Sequence, residues 1–224
     1  MCYNHDKSRP AAAQRRRAES EAHMGFRIIT VNREFESLGS EIAQAVAEKL
    51  DIAYYDKFLI TAAAEHSGVA ENRVTAADER LESRFEYSQA EAAYYFTSAK
   101  EPVPTGAQVA QVQFDLIRRL ADESPCVIVG RCANHILRER DDVLDVFIEA
   151  DAEFRLQRAM TALGLPEKRA RRVLKSTDKA RRAYYKNYTG CEWHDPMLYH
   201  AVLNSNRLGL ERCVQVICDL YSSP

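Results

Sequence analysis

The sequence lacks any long apolar run, and this absence limits where the protein can work. Of its 224 residues 46% are hydrophobic and 29% charged, yet no apolar stretch approaches the roughly 20 residues that span a bilayer. Residues 1–24 are polar and basic and contain no apolar signal-peptide core. We therefore expect a globular protein of the cytosol, without membrane partners and with one sizeable domain.

Metal-binding and disulfide patterns are also missing. The six cysteines include no C-x-x-C pair, and the six histidines are scattered, so no zinc-like spacing occurs. Cys126, Cys213 and Cys218 lie in apolar segments, which predicts buried free thiols. No residues suggest a Ser-His-Asp or Cys-His arrangement.

One stretch, residues 26–50, combines a strand, a polar loop and a helix. Residues 27–31 form a short segment that is largely apolar and rich in β-branched side chains, which is typical of a strand buried on both faces. Residues 32–40 are mostly polar, and from Glu41 the apolar positions follow helical spacing. Free N–H groups and the positive dipole end at such a helix start suit an anion, usually phosphate. The alternative is that any α/β protein contains such a unit.

Further strands and helices alternate along the rest of the chain. The other predicted strands are 52–55, 126–129, 143–148 and 200–204. The predicted helices after residue 105 are 107–122, one that begins at Ala152, 167–186 and 210–221. Short strands that alternate with helices predict an α/β fold whose mostly parallel sheet is covered on both faces.

Two charged side chains follow strands at the point where α/β proteins place ligand-binding groups. Asp56 follows the second predicted strand, and Arg131 follows the third after a glycine. Arg131 is therefore a candidate anion ligand, or else an arginine that simply reaches solvent. The aromatic residues between Phe85 and Phe96 either pack helices together or form the wall of a base pocket.

Positive charge is concentrated in one segment, although the net charge of the chain is −2. From Arg155 to Arg182 there are ten lysines and arginines against two acids, a local charge of +8. Six of them follow helical steps and share one broad face: Lys168, Arg171, Arg172, Lys175, Lys179 and Arg182. The concentration favours an anionic partner, either nucleotide phosphates or a nucleic-acid backbone. A solvated helix face is the alternative.

Several short motifs follow one another between Phe26 and the C-terminus. They are ITVNREF (29–35) with Ser37 and Gly39, YYDK (54–57), VGRCANHIL (129–137), FIEA (147–150), DKAR (178–181), YY (184–185), YTG (188–190) and DP (195–196). In this order they resemble the cytidylate kinase-like family, a branch of the nucleoside monophosphate kinases with the P-loop fold.

The resemblance implies a P-loop NTPase-type three-layer α/β sandwich with five parallel strands, nucleotide substrates, and ATP and Mg²⁺ as cofactors. It also implies a single kinase-like domain, residues 26–224, with a helical acceptor-binding insert at 57–120 and a basic lid at 155–190. Composition indicates a disordered leader at 1–25, because this segment has few large apolar groups.

The resemblance also assigns roles to particular residues. The candidate catalytic residues are the lid arginines Arg155, Arg158, Arg181 and Arg182. The candidate ligands of the ATP phosphates are Arg33, Ser37, Gly39 and Ser40, and Ser37 or Ser40 would hold Mg²⁺. Asp56 and Arg131 would lie near the acceptor. Asp178 precedes Arg181 and Arg182 by three and four residues, so we expect it to pair with them within one helix.

The phosphate loop departs from the G-x-x-x-x-G-K-[ST] pattern. Residues 36–41 read ESLGSE, with one glycine and no lysine. Glu36 and Glu41 would repel a triphosphate if they point inward, and Leu38 places a side chain where the backbone should approach closely. Arg33 could replace the missing charge.

Three functions follow from these features. The first is a phosphotransferase that moves the ATP γ-phosphate to a CMP-like nucleoside monophosphate or similar small acceptor, and the retained arginines favour it. The second is a nucleotide-binding pseudokinase with a degenerate P-loop. The third is a nucleic-acid-binding module that uses the basic face and Arg15–Arg17, which the family assignment of that face disfavours.

Overall fold

The computed structural model describes residues 25–56 and 106–223, in which five strands form one sheet with helices on both faces. The strands are β1 (Ile28–Arg33), β2 (Ala53–Tyr55), β3 (Cys126–Val129), β4 (Val143–Glu149) and β5 (Ala201–Asn204). The helices are α1 (Gly39–Leu50), α2 (Gly106–Glu123), α3 (Ala133–Ile136), α4 (Ala152–Leu163), α5 (Glu167–Thr189), α6 (Ser205–Leu208) and α7 (Leu210–Tyr221), with a 3₁₀ turn at Pro196–Leu198.

The sheet has the order β2-β3-β1-β4-β5, and all neighbouring strands are parallel. The predicted five-stranded parallel α/β sandwich is therefore confirmed. β1 lies at the centre and continues to Arg33, two residues beyond the predicted strand, because Asn32 and Arg33 still pair with Phe147 and Ile148 of β4.

Successive residues of β1 point to opposite faces of the sheet. Ile29 and Val31 pack with α1 and α7, whereas Ile28 packs on the other face with α2 and α3. Each such side chain contributes about 1.5–3 kcal/mol when it is fully buried. Burial on both faces fixes the position of β1, and with it the loop that follows.

The helices α4 and α5 pack against each other through a small apolar cluster. Its members are Leu156, Ala159, Ala170 and Leu174. Phe35, from the loop after β1, packs against the same cluster. The two basic helices are thus joined to this loop.

Two predicted segments lie mostly outside the described residues. Of the leader (1–25) only Gly25 is described, and of the insert (57–120) residues 57–105 are not described. The aromatic residues between Phe85 and Phe96 lie there too. The division into insert and lid therefore stays a prediction. Cys126, Cys213 and Cys218 are buried free thiols, as predicted. Within the described ranges no helix combines the length and apolar character that crossing a membrane requires.

Candidate active site

A cleft opens at the carboxyl edge of the sheet, where β1, β2 and β3 end. It is lined by Arg33 at the end of β1, Asp56 after β2, Arg131 after β3, and Arg181 of α5. Parallel strands place their carboxyl ends at one edge, which is where open α/β sheets bind ligands. Among the described lining residues three guanidinium groups accompany one carboxylate, so the cleft suits an anion that also carries a hydrogen-bond donor.

Arg33 crosses this cleft between two glycines. A Cβ atom on Gly39 would lie only 2.3 Å from the Cβ of Arg33, and one on Gly130 only 2.6 Å from its Nη1. The Nη2 of Arg33 lies 3.4 Å from Oδ1 of Asp56. The stem of Arg33 therefore packs on the start of α1, whereas its guanidinium lies on the side where β2 and β3 end.

Two more arginines approach from other walls of the cleft. Nη1 of Arg181 donates a hydrogen bond to the carbonyl oxygen of Arg33 at 2.9 Å. Cζ of Arg181 lies 5.6 Å from the ring centre of Phe35, and Cζ of Arg131 lies 5.7 Å from that of Tyr184. Both are within cation–π range, so aromatic rings hold these cations towards the cleft.

The turn after β3 has three successive residues with positive φ. Gly130, Arg131 and Cys132 have φ values of 75°, 53° and 58°. A left-handed conformation costs a non-glycine residue about 1–2 kcal/mol. Such strain is typical of functional sites, and here it presents Arg131 at the mouth of β3.

Tyr54 is a hydrogen-bond partner of Asp56. The phenol oxygen of Tyr54 donates a hydrogen bond to Oδ2 of Asp56 at 3.3 Å. Burial, together with the negative charge of Asp56, raises the pKa of Tyr54 to about 12. The phenol therefore keeps its proton at neutral pH and remains a donor to this carboxylate.

In the loop between β1 and α1, two residues other than glycine adopt the left-handed backbone conformation that glycine favours. Glu36 and Leu38 have φ values of 59° and 63°. Ser37 is buried, and its hydroxyl donates to the carbonyl oxygens of Glu34 and Ile148 at 2.9 and 3.1 Å. The side chain of Ser37 is thus used inside the fold, which leaves its backbone N–H as the group that could bind phosphate.

Ser40 is the second residue of α1 and is half-buried. Its carbonyl oxygen lies 3.4 Å from the phenol oxygen of Tyr54 and is a second acceptor within reach of that single phenol proton. Residues 25–56 and 106–223 contain no group of three or more histidine, cysteine or acidic side chains that could hold a metal ion.

Arg155 joins α4 and α5 to the loop between β1 and α1. Its Nη1 donates to Oδ2 of Asp178 at 2.6 Å and to the carbonyl oxygen of Phe35 at 3.1 Å. Oδ1 of Asp178 accepts from the Phe35 N–H at 2.8 Å. We predicted that Asp178 pairs with Arg181 and Arg182 within α5; its carboxylate instead faces α4 and the loop, because this side of α5 is buried.

Glu34 adds to the same connection. It lies 3.4 Å from Nε of Arg155 and 3.5 Å from Nε2 of His194, and it accepts the Ala150 N–H at 3.2 Å. Burial by itself would raise the pKa of Glu34, but the His194 hydrogen bond and the Arg155 charge outweigh it, and the pKa is lowered. Glu34 therefore stays charged and fixes the first turn of the loop.

Both acids of the loop pair with one arginine of α4. Nη2 of Arg158 lies 2.5 Å from Glu41 and 3.5 Å from Glu36. The repulsive charges predicted for the loop are thus compensated in this structure.

The basic face of α5 points to solvent rather than into the cleft. Its exposed members are Lys168, Arg171, Arg172, Lys175, Lys179 and Arg182. Arg181, one residue from Arg182, is half-buried and lines the cleft instead.

The structure brings Arg33, Asp56, Arg131 and Arg181 together in one cleft. Gly39 lies under the stem of Arg33. The other candidate residues lie outside the cleft: Arg155 and Arg158 on α4, Ser37 in the loop, Ser40 in α1, and Arg182 on the exposed face of α5.

A buried polar network under the cleft carries side chains that sequence reasoning did not single out. Nε1 of Trp193 donates to Asn32 at 3.4 Å, Asn32 donates to Asn134 at 3.1 Å, and Asn134 donates to the Tyr185 hydroxyl at 2.9 Å. The sequence did contain a signal for them, because Asn32, Asn134 and Tyr185 all lie in the short motifs on which the family resemblance rests.

A central parallel sheet, a loop that leads from its middle strand into a helix, and an arginine-lined cleft at its carboxyl edge define a P-loop type α/β protein. The chain belongs to the cytidylate kinase-like family, whose sequence profile matches residues 28–207.

One solved structure shares this fold, and two further structures are more distantly similar. An uncharacterised protein from Eubacterium ventriosum is 26% identical with a TM-score of 0.65, over 88% of this chain and 99% of that one. Shikimate kinases from Bacteroides thetaiotaomicron and Acinetobacter baumannii, the latter in complex with shikimate, are each 14% identical. Their TM-scores are 0.48 and 0.47, over 86% and 90% of this chain and 96% of each of theirs. None of the curated proteins compared with the chain matches it.

Proposed function

We propose that the protein is a phosphotransferase that moves the γ-phosphate of ATP to a CMP-like nucleoside monophosphate or a similar small acceptor. The observation that carries the proposal is the convergence of Arg33, Arg131 and Arg181 beside Asp56. Phosphoryl transfer depends on positioning and positive charge around the transferred group, and it needs little covalent chemistry from the protein. Membership of the family supports phosphoryl transfer in general.

The acceptor would bind between Asp56 and Arg131. The Asp56 carboxylate accepts a hydrogen bond from a hydroxyl or amino group, while Arg131 binds the acceptor's phosphate. Tyr184 and Trp193 line the same cleft and offer apolar surface to a sugar or base.

The ATP phosphates would lie over residues 33–41. The backbone around Ser37 and Gly39 and the start of α1 at Ser40 supply N–H groups and the positive dipole end. Arg33 supplies the charge that the absent P-loop lysine would give. Its guanidinium lies towards Asp56, and donor and acceptor would meet on this side of the loop.

Mg²⁺ fits the donor set at the start of α1. Magnesium usually binds through one or two protein oxygens together with substrate phosphates rather than in an all-protein cage. The half-buried hydroxyl of Ser40 would hold it, and when bound it neutralises charge on the donor phosphates.

The lid arginines would complete the site. Arg181 already lines the cleft, and an arginine that reaches the transferred phosphate can raise the rate on the order of a thousandfold. The other three lid arginines, Arg155, Arg158 and Arg182, do not line the cleft. We propose that they approach the phosphates when the lid, residues 155–190, closes.

A nucleotide-binding pseudokinase is the second candidate. The pairing of Arg158 with Glu36 and Glu41 favours it, because these contacts use a lid cation inside the protein. A coupled ADP-release assay across nucleoside monophosphates separates the two functions. Turnover on any acceptor supports the phosphotransferase; ATP binding without turnover on any acceptor supports the pseudokinase.

Arg131→Ala tests the assignment of the acceptor site. We expect the acceptor KM to rise at least about tenfold, because one charge-assisted contact is worth about 1.5–3 kcal/mol, while the ATP KM changes little. Steady-state kinetics with each substrate varied in turn measures the difference. An equal loss of affinity for both substrates would contradict the assigned role.

A further inference from the structure

Arg158 links the lid helix α4 to both acids of the phosphate loop. Its Nη2 lies 2.5 Å from Oε1 of Glu41 and 3.5 Å from Oε2 of Glu36. The Glu36 side chain is only 13% exposed, so its charge depends on a partner inside the protein rather than on water. Arg158 is that partner.

The Arg158 guanidinium lies close to the start of α1. Glu41 is in the first turn of α1 and Glu36 is in the loop just before that helix, so a group that contacts both carboxylates lies over the helix start. This is the end of a helix that attracts phosphate. The Nε of Arg158 is buried and has no hydrogen-bond partner in the described part of the chain.

We propose that Glu36 and Glu41 hold Arg158 as an internal counter-ion of the phosphate loop, so that a polyphosphate binds by taking Arg158 from the two carboxylates. The inference rests on the proposed function, because it concerns the donor site. Under this proposal Glu36 and Glu41 both lower the affinity of the site for the phosphate donor.

The physical reason is competition for one cation. When phosphate takes the guanidinium, Glu36 and Glu41 lose their partner and repel the phosphate across the same short distance. Only a ligand with several negative charges compensates for this loss. We therefore expect affinity to rise from AMP to ADP to ATP, and to rise more steeply once the acids are neutralised, because the repulsion that is removed grows with the charge of the ligand.

Conservative variants test the proposal by nucleotide binding, independently of turnover. Isothermal titration with AMP, ADP and ATP–Mg²⁺ compares the wild type with Glu36→Gln, Glu41→Gln and the double variant. We expect the double variant to bind ATP at least about tenfold more tightly, and each single variant to lie between, since a tenfold change corresponds to the loss of about 1.4 kcal/mol of competition. Arg158→Gln should bind ATP more weakly than the wild type.

Glu48→Gln is the matched control, since Glu48 lies on the same helix and pairs with Gln44 at the exposed surface. It should leave ATP affinity unchanged. If all the acid variants bind ATP as the wild type does, or more weakly, the proposal is wrong although ATP binding stands. If no protein in the series binds ATP, the proposed function fails, and the counter-ion proposal with it.

Discussion

At the scale of single residues, the requirement for glycine at position 39 comes from a neighbouring side chain. Gly39 is not among the residues with positive φ, so its backbone is one that other amino acids can adopt. The space for a Cβ atom, however, is filled by Cβ and Cγ of Arg33, at 2.3 and 2.7 Å. The constraint is therefore steric rather than conformational.

Gly39→Ala should lower the free energy of unfolding by about 1–3 kcal/mol, the usual cost of overpacking, and should displace Arg33. Denaturant unfolding measures the loss. Gly164→Ala is the control: Gly164 has a φ of 62° and no atom within 4 Å of its added Cβ, so its cost is conformational. Arg33→Gly, which removes both colliding carbons, should rescue Gly39→Ala but not Gly164→Ala. Rescue of both variants, or of neither, would contradict the steric explanation.

Glu34 gives the site a pH dependence of definite sign. Burial opposes its charge, but the His194 hydrogen bond and the Arg155 charge lower the pKa below the ordinary 4.5. A lowered carboxylate pKa stabilises the fold above the ordinary value, and this contribution is lost as the pH falls towards the folded value.

We therefore expect the melting temperature of the wild type to exceed that of Glu34→Gln near neutral pH, with a difference that shrinks as the pH falls below 4.5. Thermal unfolding over a pH series measures it. Glu48→Gln, on the exposed face of α1, should show no such trend. A difference that stays constant or grows in acid would show that the charge of Glu34 is not what stabilises the loop.

At the scale of secondary-structure elements, a chain of buried amides joins β1, α3 and α5 beneath the cleft. Asn134 accepts from Asn32 and donates to the Tyr185 hydroxyl. Asn134 is 4% exposed, so water cannot replace a lost partner. The network fixes the position of α3 relative to β1 and α5, both of which line the cleft.

Asn134→Ala should lower the free energy of unfolding by about 1–3 kcal/mol, because it leaves the Asn32 amide buried without an acceptor. Urea denaturation checks the value. Gln44→Ala removes an exposed hydrogen bond to Glu48 and should stay within about 0.5 kcal/mol of the wild type. Equal effects of the two variants would mean that the buried network does not contribute as proposed.

The sequence was sufficient to predict the five strands and the longer helices of the described residues, because their signals are local, whereas the short helices α3 and α6 were not predicted. β3 and α7 have the predicted bounds. The strand is an apolar tetrapeptide, and the helix has apolar residues at helical spacing, so each pattern is recognisable from the local sequence. The partners of long charged side chains could not be predicted. Helical spacing suggested Arg181 for Asp178, but tertiary packing brought Arg155 from another helix, and no spacing rule gives such a contact. The pairing of Arg158 with Glu36 and Glu41 was missed for the same reason.

At the scale of the whole molecule, the basic residues of the cleft and those of α5 lie on two different surfaces of the described structure. The cleft contains Arg33, Arg131 and Arg181, whereas Lys168 and Lys175 lie on the exposed face of α5. Lys168 and Lys175 do not contact the cleft, so they bear on association with polyanions rather than on the transferred phosphate.

We expect this exposed face to give only weak binding to single-stranded RNA, lost steeply as salt rises towards physiological strength. The double variant Lys168→Glu/Lys175→Glu should abolish it and leave ATP binding unchanged. Fluorescence anisotropy across a salt series, with and without ATP, measures both. RNA binding that persists at physiological salt would instead favour the nucleic-acid-binding function.

The passage of Arg33 between Gly39 and Gly130 has a consequence for how such sequences diverge. Arg33, the nearby Gly39 and the distant Gly130 share one small volume, so neither glycine can be replaced by a larger residue while the Arg33 side chain stays. In related chains, a residue larger than glycine at either flanking position should coincide with a shorter side chain in place of Arg33. Among homologues these sites would therefore vary together or remain fixed together.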